Sequence, residues 1–254
     1  MKQFAIIGLS NFGQRMLEEL LGSSAEILII DKDREIIDMY KDQVASSYVA
    51  DVLKEETIRK IIPEDIDAVI IDLGDRIEAS ILLVNYLKKM GVKKIIAKAE
   101  TEEHGEILGI VGAHQVVFPN REAARRVAPP LVLSTVFNYM PISKGLVMAE
   151  VGVPRRLAGK SLIEADLRKN NRVNAIAVSR TGSEEYEFVS PTYIFNEEDI
   201  LLVVGREEDI GTFSSTSLAK AGSRDIVSVV RRFLGRGKSR REKTAHPKPQ
   251  IDTE

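Results

Sequence analysis

The chain has 254 residues, enough for one large or two small domains, and its 44% hydrophobic and 29% charged content is that of an ordinary soluble protein. It contains no cysteine, which excludes disulfides and thiolate metal sites, and no apolar run approaches the roughly 18 residues of a membrane span. The formal net charge is −2, but residues 215–254 hold 10 Lys/Arg against 4 Asp/Glu. We therefore expect a cytoplasmic protein whose basic tail contacts something anionic.

The first predicted elements are a strand, a glycine-bearing turn and a helix. Phe4–Ile7 is an apolar run of strand length, residues 8–13 form the turn, and apolar residues then recur at helical spacing. A second apolar run, Ile27–Ile30, ends on Asp31. This order is typical of a dinucleotide-binding βαβ unit, in which the first-turn amides of the helix hold a pyrophosphate.

Three residues of this unit have distinct predicted roles. Gly8 permits the sharp exit from the strand, Gly13 allows close packing of helix and sheet, and Asp31 is placed to accept hydrogen bonds from a ribose diol. Ser10 stands where the fingerprint usually has its second glycine, so the motif is G-x-S-x-x-G. The alternative is a domain of this fold whose glycines only make the turn.

The alternation of strands and helices continues to residue 119. Further strands are predicted at 47–50, 68–71, 94–97 and 116–118, with helices from Asp33 through Val44, at 55–62, from Asp75 and at 102–111. Six strands separated by helices predict a doubly wound, Rossmann-like parallel sheet, as an α/β domain of residues 1–119.

The ligand crevice of such a sheet lies beyond the carboxyl ends of its strands. The residues predicted at those ends are Gly8, Asp31, Asp51, Asp72-Leu73-Gly74 and Lys98-Ala99-Glu100. Lys98 is the only cation in that set, so it is either a group that screens a phosphate or a solvated lysine at the sheet edge.

The second half has a different pattern. Arg121 to Asn138 predicts a long helix interrupted by Pro129-Pro130, whose surplus of apolar residues suggests contact with a second subunit. After Pro141, strands at 146–153, 173–178 and 200–204, with a helix between the first two that ends near Lys169, predict a small α+β module. The expected boundaries are 120–140 for the crossover helix, 141–213 for the C-terminal domain and 214–254 for the tail.

The tail contains a basic amphipathic stretch. Residues 224–241 place apolar side chains on one helical face, with seven cations against Asp225 alone. Such a helix indicates peripheral contact with an anionic membrane or with an acidic partner. The alternative is a solvated, mostly disordered extension.

These motifs resemble the RCK proteins, the regulator-of-K⁺-conductance subunits of Ktr and Trk potassium transporters. The resemblance is carried by GLSNFG, DLGDRIEASILL and GAHQVVFPNREAARRVA in the first half, and by LAGKSLIEADL, NRVNAIAVSR and FNEEDILLVVG in the second. It covers about residues 1–212 and implies a non-enzymatic cytosolic subunit that binds an adenine nucleotide and gates a membrane potassium channel. It also implies a homodimer and an octameric ring.

The resemblance implies a set of ligand-binding residues. The phosphate turn matches at 8–13, the ribose acid at Asp31, the position near the adenine at Asp51, the loop under the ligand at Leu73 and Gly74, and the family's lysine at Lys98. The predicted cofactor-binding set is Gly8, Ser10, Asn11, Phe12, Gly13, Asp31, Lys32, Asp51, Val52, Leu73, Gly74, Lys98 and Glu100.

Two departures bear on the ligand. Asn11 stands where ATP-responsive members place an arginine, and Asn120 where they place a glutamate that helps to bind a divalent ion. Neutral amides remove both charge-specific contacts, so NAD(H) stands beside ADP and ATP as the expected ligand. In some relatives the C-terminal domain binds cyclic di-AMP, and the resemblance implies Asn174, Ile176 and Pro191 as the counterparts here.

The sequence argues against two other classes of function. An NAD-dependent oxidoreductase needs an acid or base beside the nicotinamide, but His104, His114 and His246 pair with no obvious acid and read as surface or capping residues. A nucleotide-binding transcriptional regulator is the second class, but the sequence shows no helix-turn-helix pattern and the chain before the tail is acidic. We therefore expect no nucleic-acid partner. No catalytic residue and no metal cluster is predicted.

Overall fold

The computed structural model describes residues 1–180, 183 and 185–215, which divide into two compact units between Glu122 and Ala123. The predicted helix at 224–241 lies outside the described residues. Within the part of the chain that the structure describes, no helix combines the length and the apolar character needed to cross a membrane.

The first unit alternates strands and helices. Its strands are β1 (Gln3–Ile7), β2 (Glu26–Asp31), β3 (Ser46–Val49), β4 (Ala68–Ile71), β5 (Ile95–Lys98) and β6 (Gln115–Val117). Its helices are α1 (Asn11–Leu21), α2 (Arg34–Tyr40), α3 (Glu55–Ile61), α4 (Ile77–Lys89) and α5 (Glu102–Val111), and α6 (Pro119–Val132) follows β6.

The six strands are parallel and lie in the order β3-β2-β1-β4-β5-β6. This is the doubly wound arrangement predicted from the sequence, and its strand order reverses between β1 and β4. Alternate residues of β1 belong to different apolar clusters: Ala5 and Ile7 pack with α3, α4 and α5, whereas Ile6 packs with α1 and α2. Helices therefore cover both faces of the sheet, which explains why β4 is apolar at every position.

The second unit is an antiparallel sheet with short helices, as the α+β prediction required. Its strands lie in the order β10-β9-β11-β8-β7. They are β7 (Val136–Ser143), β8 (Leu146–Gly152), β9 (Val173–Ser179), β10 (Glu187–Phe188) and β11 (Ile200–Arg206). The helices are α7 (Leu162–Ala165), α8 (Leu167–Asn171) and α9 (Glu207–Ser215), and Phe195 and Phe213 lie fully buried in the core.

The helix predicted to reach Asn138 is wrong at its end. α6 stops at Val132, and residues 136–143 form the edge strand β7. The two prolines lie inside α6 near its last turn, where Leu133 N–H still donates to the Pro129 carbonyl (2.9 Å). Pro141 lies in an edge strand, where a missing N–H is tolerated.

Other boundaries also differ. α2 ends at Tyr40 and a 3₁₀ turn, Lys41–Gln43, follows, so the helix does not reach Val44. The single helix expected to end near Lys169 is split into α7 and α8 at Asp166, which has a left-handed backbone (φ 37°).

Candidate nucleotide site

The glycine loop that follows β1 requires glycine at two positions. Gly8 has φ +86°, and a Cβ there would lie 2.0 Å from the Asp72 carbonyl oxygen. A Cβ on Gly13 would lie 2.3 Å from the Gly8 carbonyl oxygen. Both nearest atoms are backbone carbonyl oxygens rather than the ends of flexible side chains, so a Cβ at either position would force the backbone to shift. The loop therefore packs tightly against the start of α1 and the end of β4, where the strand order reverses.

The N-terminus of α1 presents backbone donors at this loop. Gln14 N–H donates to the Ser10 carbonyl (2.9 Å) and begins the helical ladder. Among the described residues, no acceptor lies on the N–H groups of Ser10, Asn11 and Phe12. Free amides at the positive end of a helix form the arrangement that binds phosphate groups.

Asp31, at the end of β2, lies beside the loop. Its Oδ2 accepts from Leu9 N–H (2.7 Å), and its Oδ1 accepts from Asp33 N–H (2.9 Å). The carboxylate therefore holds the loop in position, a role that the sequence analysis did not foresee. Each oxygen keeps capacity for a further hydrogen bond, so the predicted bond to a ribose diol fits this geometry.

Asp72 is the residue that the predicted binding set missed. Its side chain is fully buried at the end of β4. Oδ2 accepts from Ser10 Oγ (2.5 Å) and Gly13 N–H (2.8 Å), while Oδ1 accepts from Gly74 N–H (3.3 Å). A carboxylate directly after four apolar residues was the available signal. Its contact with Ser10 explains why this chain has a serine at the fingerprint's second glycine.

Lys98, at the end of β5, is not a solvated edge lysine. Its side chain is 13% exposed, and its Nζ lies 3.2 Å from Asp72 Oδ1 and 2.8 Å from Glu100 Oε1. Burial lowers the pKa of Lys98, but the Glu100 and Asp72 carboxylates outweigh it, so the pKa is raised. The lysine stays charged, and two carboxylates of the chain already contact that charge.

His104, in the first turn of α5, is buried, so of the two expected roles, surface or capping, the surface role is wrong. Its Nδ1 accepts from Glu100 N–H (3.3 Å), and its Nε2 lies 2.8 Å from Ser80 Oγ. The Ser80 hydroxyl donates to the Ile77 carbonyl (2.7 Å), so Nε2 must carry the proton and donate. Burial lowers the pKa of His104 and keeps it neutral. The histidine fixes the backbone of Glu100.

The remaining predicted residues are dispersed along the same sheet edge. Asp51 is exposed, accepts from Leu53 N–H (3.2 Å) and lies 4.0 Å from an Arg76 nitrogen. Val52 is buried in the core, and Lys32 is exposed. Leu73 packs on the apolar cluster, and Gly74 has φ +63°.

In the second unit, the residues expected to contact cyclic di-AMP lie on β9 and just after β10. Asn174 and Ile176 are two residues apart on β9, and the pairing of β9 with β11 shifts its register at Ile176. Val189 N–H donates to the Ile176 carbonyl (3.2 Å), and Pro191 follows two residues later. Nothing in these contacts distinguishes a ligand site from ordinary packing.

Comparison with known proteins gives the same two parts. Residues 4–119 match the TrkA-N domain family, and residues 146–216 match the TrkA-C domain family. The chain is 32% identical over 217 residues to Ktr system potassium uptake protein C of Bacillus subtilis (strain 168), covering 85% of this chain and 98% of that protein. It is 31% identical over 209 residues to Ktr system potassium uptake protein A of Vibrio alginolyticus, covering 82% of this chain and 94% of that protein.

Solved structures show the same fold. The GsuK channel superposes with a TM-score of 0.62 at 18% identity, covering 93% of this chain and 44% of that one. The GsuK channel bound to NAD superposes with a TM-score of 0.59 at 17% identity, covering 99% of this chain and 48% of that one. The chain thus spans less than half the length of the GsuK channel.

Proposed function

The chain belongs to the Ktr family of potassium uptake proteins, the RCK regulators, and on that premise we propose that it senses an adenine nucleotide and thereby gates a membrane potassium channel subunit. It is a regulatory subunit of potassium uptake. In our proposal it acts on the cytoplasmic face of the membrane. It binds and responds, and it carries out no chemical conversion of its ligand.

One observation carries the proposal: the N–H groups of Ser10, Asn11 and Phe12, which have no acceptor in the part of the chain that the structure describes, lie at the N-terminus of α1, next to Asp31. These amides bind the phosphates, and the carboxylate of Asp31 binds the ribose hydroxyls. Leu73 and Gly74 would contact the nucleotide from the loop after β4, and Asp51 would be the neighbour of the adenine, with the buried Val52 supporting it from the core. NAD(H), ADP and ATP are all candidate ligands. NADP(H) is a further candidate, because Lys32 directly follows Asp31 and would offer a positive charge to a 2′-phosphate.

Gating follows from population shift. A nucleotide that prefers one conformation of paired subunits raises the population of that conformation and transmits the change to the pore. The chain therefore acts as a homodimer within a larger ring, an octamer in our proposal, and docks on a Ktr- or Trk-type membrane subunit. Cyclic di-AMP at Asn174, Ile176 and Pro191, and contact of the basic tail with anionic lipid, are further proposals of the same kind.

The test is calorimetric titration of the full chain with NADH, ADP and ATP, together with two glycine variants. Gly13→Ala places a Cβ 2.3 Å from the Gly8 carbonyl and should weaken nucleotide binding by roughly tenfold or more, since the loop amides must move. Gly109→Ala is the matched control, because its Cβ enters open space on α5. Absence of binding to the native chain, or equal binding by both variants, would contradict the proposal.

A further inference from the structure

The buried carboxylate of Asp72 accepts hydrogen bonds from donors that a bound phosphate would be expected to use. Its Oδ2 accepts a hydrogen bond from Gly13 N–H, one of the first-turn amides of α1, and another from the Ser10 hydroxyl. Donors at this helix end ordinarily serve the ligand. Here the chain supplies an anion of its own to the helix terminus.

The neighbouring cation, Lys98, does not leave a net positive charge to attract a phosphate. Lys98 lies between Asp72 and Glu100, so the three side chains carry one positive and two negative charges. Asp31 adds another carboxylate on the other side of the loop. Arg76 lies 4.0 Å from a different carboxylate, that of Asp51. The phosphate region thus offers neutral amides and a negative local charge.

From this arrangement we infer that Asp72 is a specificity-determining residue, which makes the site select adenine ligands of low phosphate charge, such as AMP or NAD(H), over ADP and ATP. The inference rests on the proposed nucleotide site and names the ligand class that it prefers. Each further phosphate adds about one negative charge to the ligand, and each added charge meets the repulsion of the Asp72 and Glu100 carboxylates.

The chain offers a matched control for a charge at Asp72. Asp67 precedes β4 and Asp72 follows it, so the two carboxylates lie at opposite ends of the same strand. Asp67 also accepts a backbone N–H, from Gln3 (2.9 Å), and also contacts lysine, with Lys2 at 2.9 Å. Asp72→Asn and Asp67→Asn therefore remove the same charge and similar partners, at different distances from the loop.

The experiment measures the affinities of AMP, NADH, ADP and ATP for the full native chain, Asp72→Asn and Asp67→Asn at low and physiological salt. We expect the native chain to bind AMP and NADH more tightly than ATP. In Asp72→Asn, the ratio of ATP to AMP affinity should rise about threefold or more for each added ligand charge, and this rise should shrink with salt. Asp67→Asn should leave the ratio at its native value. A role limited to folding would change all affinities together and leave the ratio fixed.

Glu100→Gln guards against a failure of Asp72→Asn to fold. Glu100 is 31% exposed, and its loss leaves more of the Lys98 charge to the ligand, so the ATP to AMP ratio should rise there as well. Native preference for ATP, or an unchanged ratio in the folded variants at positions 72 and 100, overturns the inference while leaving nucleotide binding intact. A native chain that binds none of the four ligands overturns the proposed function itself.

Discussion

At the scale of single residues, Asp31 combines two tasks that a substitution can separate. It is the proposed acceptor for the ribose diol, and it holds the Leu9 N–H of the glycine loop. Asp31→Ala should weaken adenine-nucleotide binding by about 1.5–3 kcal/mol, the scale of a hydrogen bond to a charged group. It should also lower the free energy of unfolding by about 1 kcal/mol, because a loop amide loses its acceptor.

Asp33→Ala is the control for this prediction. Asp33 caps α2 by accepting from Glu35 N–H (2.9 Å), so its loss also costs about 1 kcal/mol of stability. It takes no part in the loop and should leave nucleotide affinity unchanged. Calorimetry for binding and urea unfolding for stability distinguish the two. Native affinity in Asp31→Ala would remove the ribose contact from the account.

His104 makes stability depend on pH in a defined direction. Burial lowers its pKa in the folded state, so the unfolded chain binds its proton more readily. The stability that His104 contributes is therefore present above the unfolded pKa of about 6.5 and is lost as the pH falls toward the lower folded value. Protonation would also remove the Nδ1 acceptor of Glu100 N–H.

The measurement is the melting temperature of the native chain and of His104→Gln between about pH 7 and pH 5. The native chain should lose stability more steeply toward acid than the variant, while the variant should be less stable at pH 7 because a buried hydrogen-bonded ring is replaced. Parallel pH profiles for the two proteins would show that His104 does not titrate on unfolding.

At the scale of elements, α6 exposes an apolar stripe. Val127 is 61% exposed and Leu131 is 81% exposed, and the two lie four residues apart on one helical face. Such side chains are ordinarily covered, here in our proposal by the same helix of a second subunit. Leu131→Glu should lower the mass that light scattering reports at micromolar concentration.

Met39→Glu is the matched control for the stripe, because Met39 is an apolar residue that is 59% exposed on α2. It should leave the mass at the native value. A monomeric mass for the native chain, or an unchanged mass for Leu131→Glu, would contradict the assignment of α6 to the dimer.

The centre of the parallel sheet was predictable from the sequence, because β1, β2 and β4 are built on apolar runs that end at a glycine or an acid, as Ala68–Ile71 shows. The strand β7 was not, since Val136–Ser143 carries Pro141 and exposed apolar residues that imitate a helix continuing from α6. In the site, Gly8, Gly13 and Asp31 follow a spacing. Asp72 does not, because its contact with Ser10 joins residues 62 positions apart and needs the β1–β4 pairing.

At the scale of the whole molecule, a nucleotide site is linked to potassium flux, and one measurement tests that link. A Ktr membrane subunit is reconstituted in potassium-loaded vesicles with the full native chain or with Gly13→Ala, and the flux is recorded while AMP, NADH, ADP or ATP is added. We predict that at least one nucleotide changes the flux through the native complex and that Gly13→Ala, still bound to the membrane subunit, abolishes the response. A flux that none of the four nucleotides changes, or an equal response in the variant, would contradict the account.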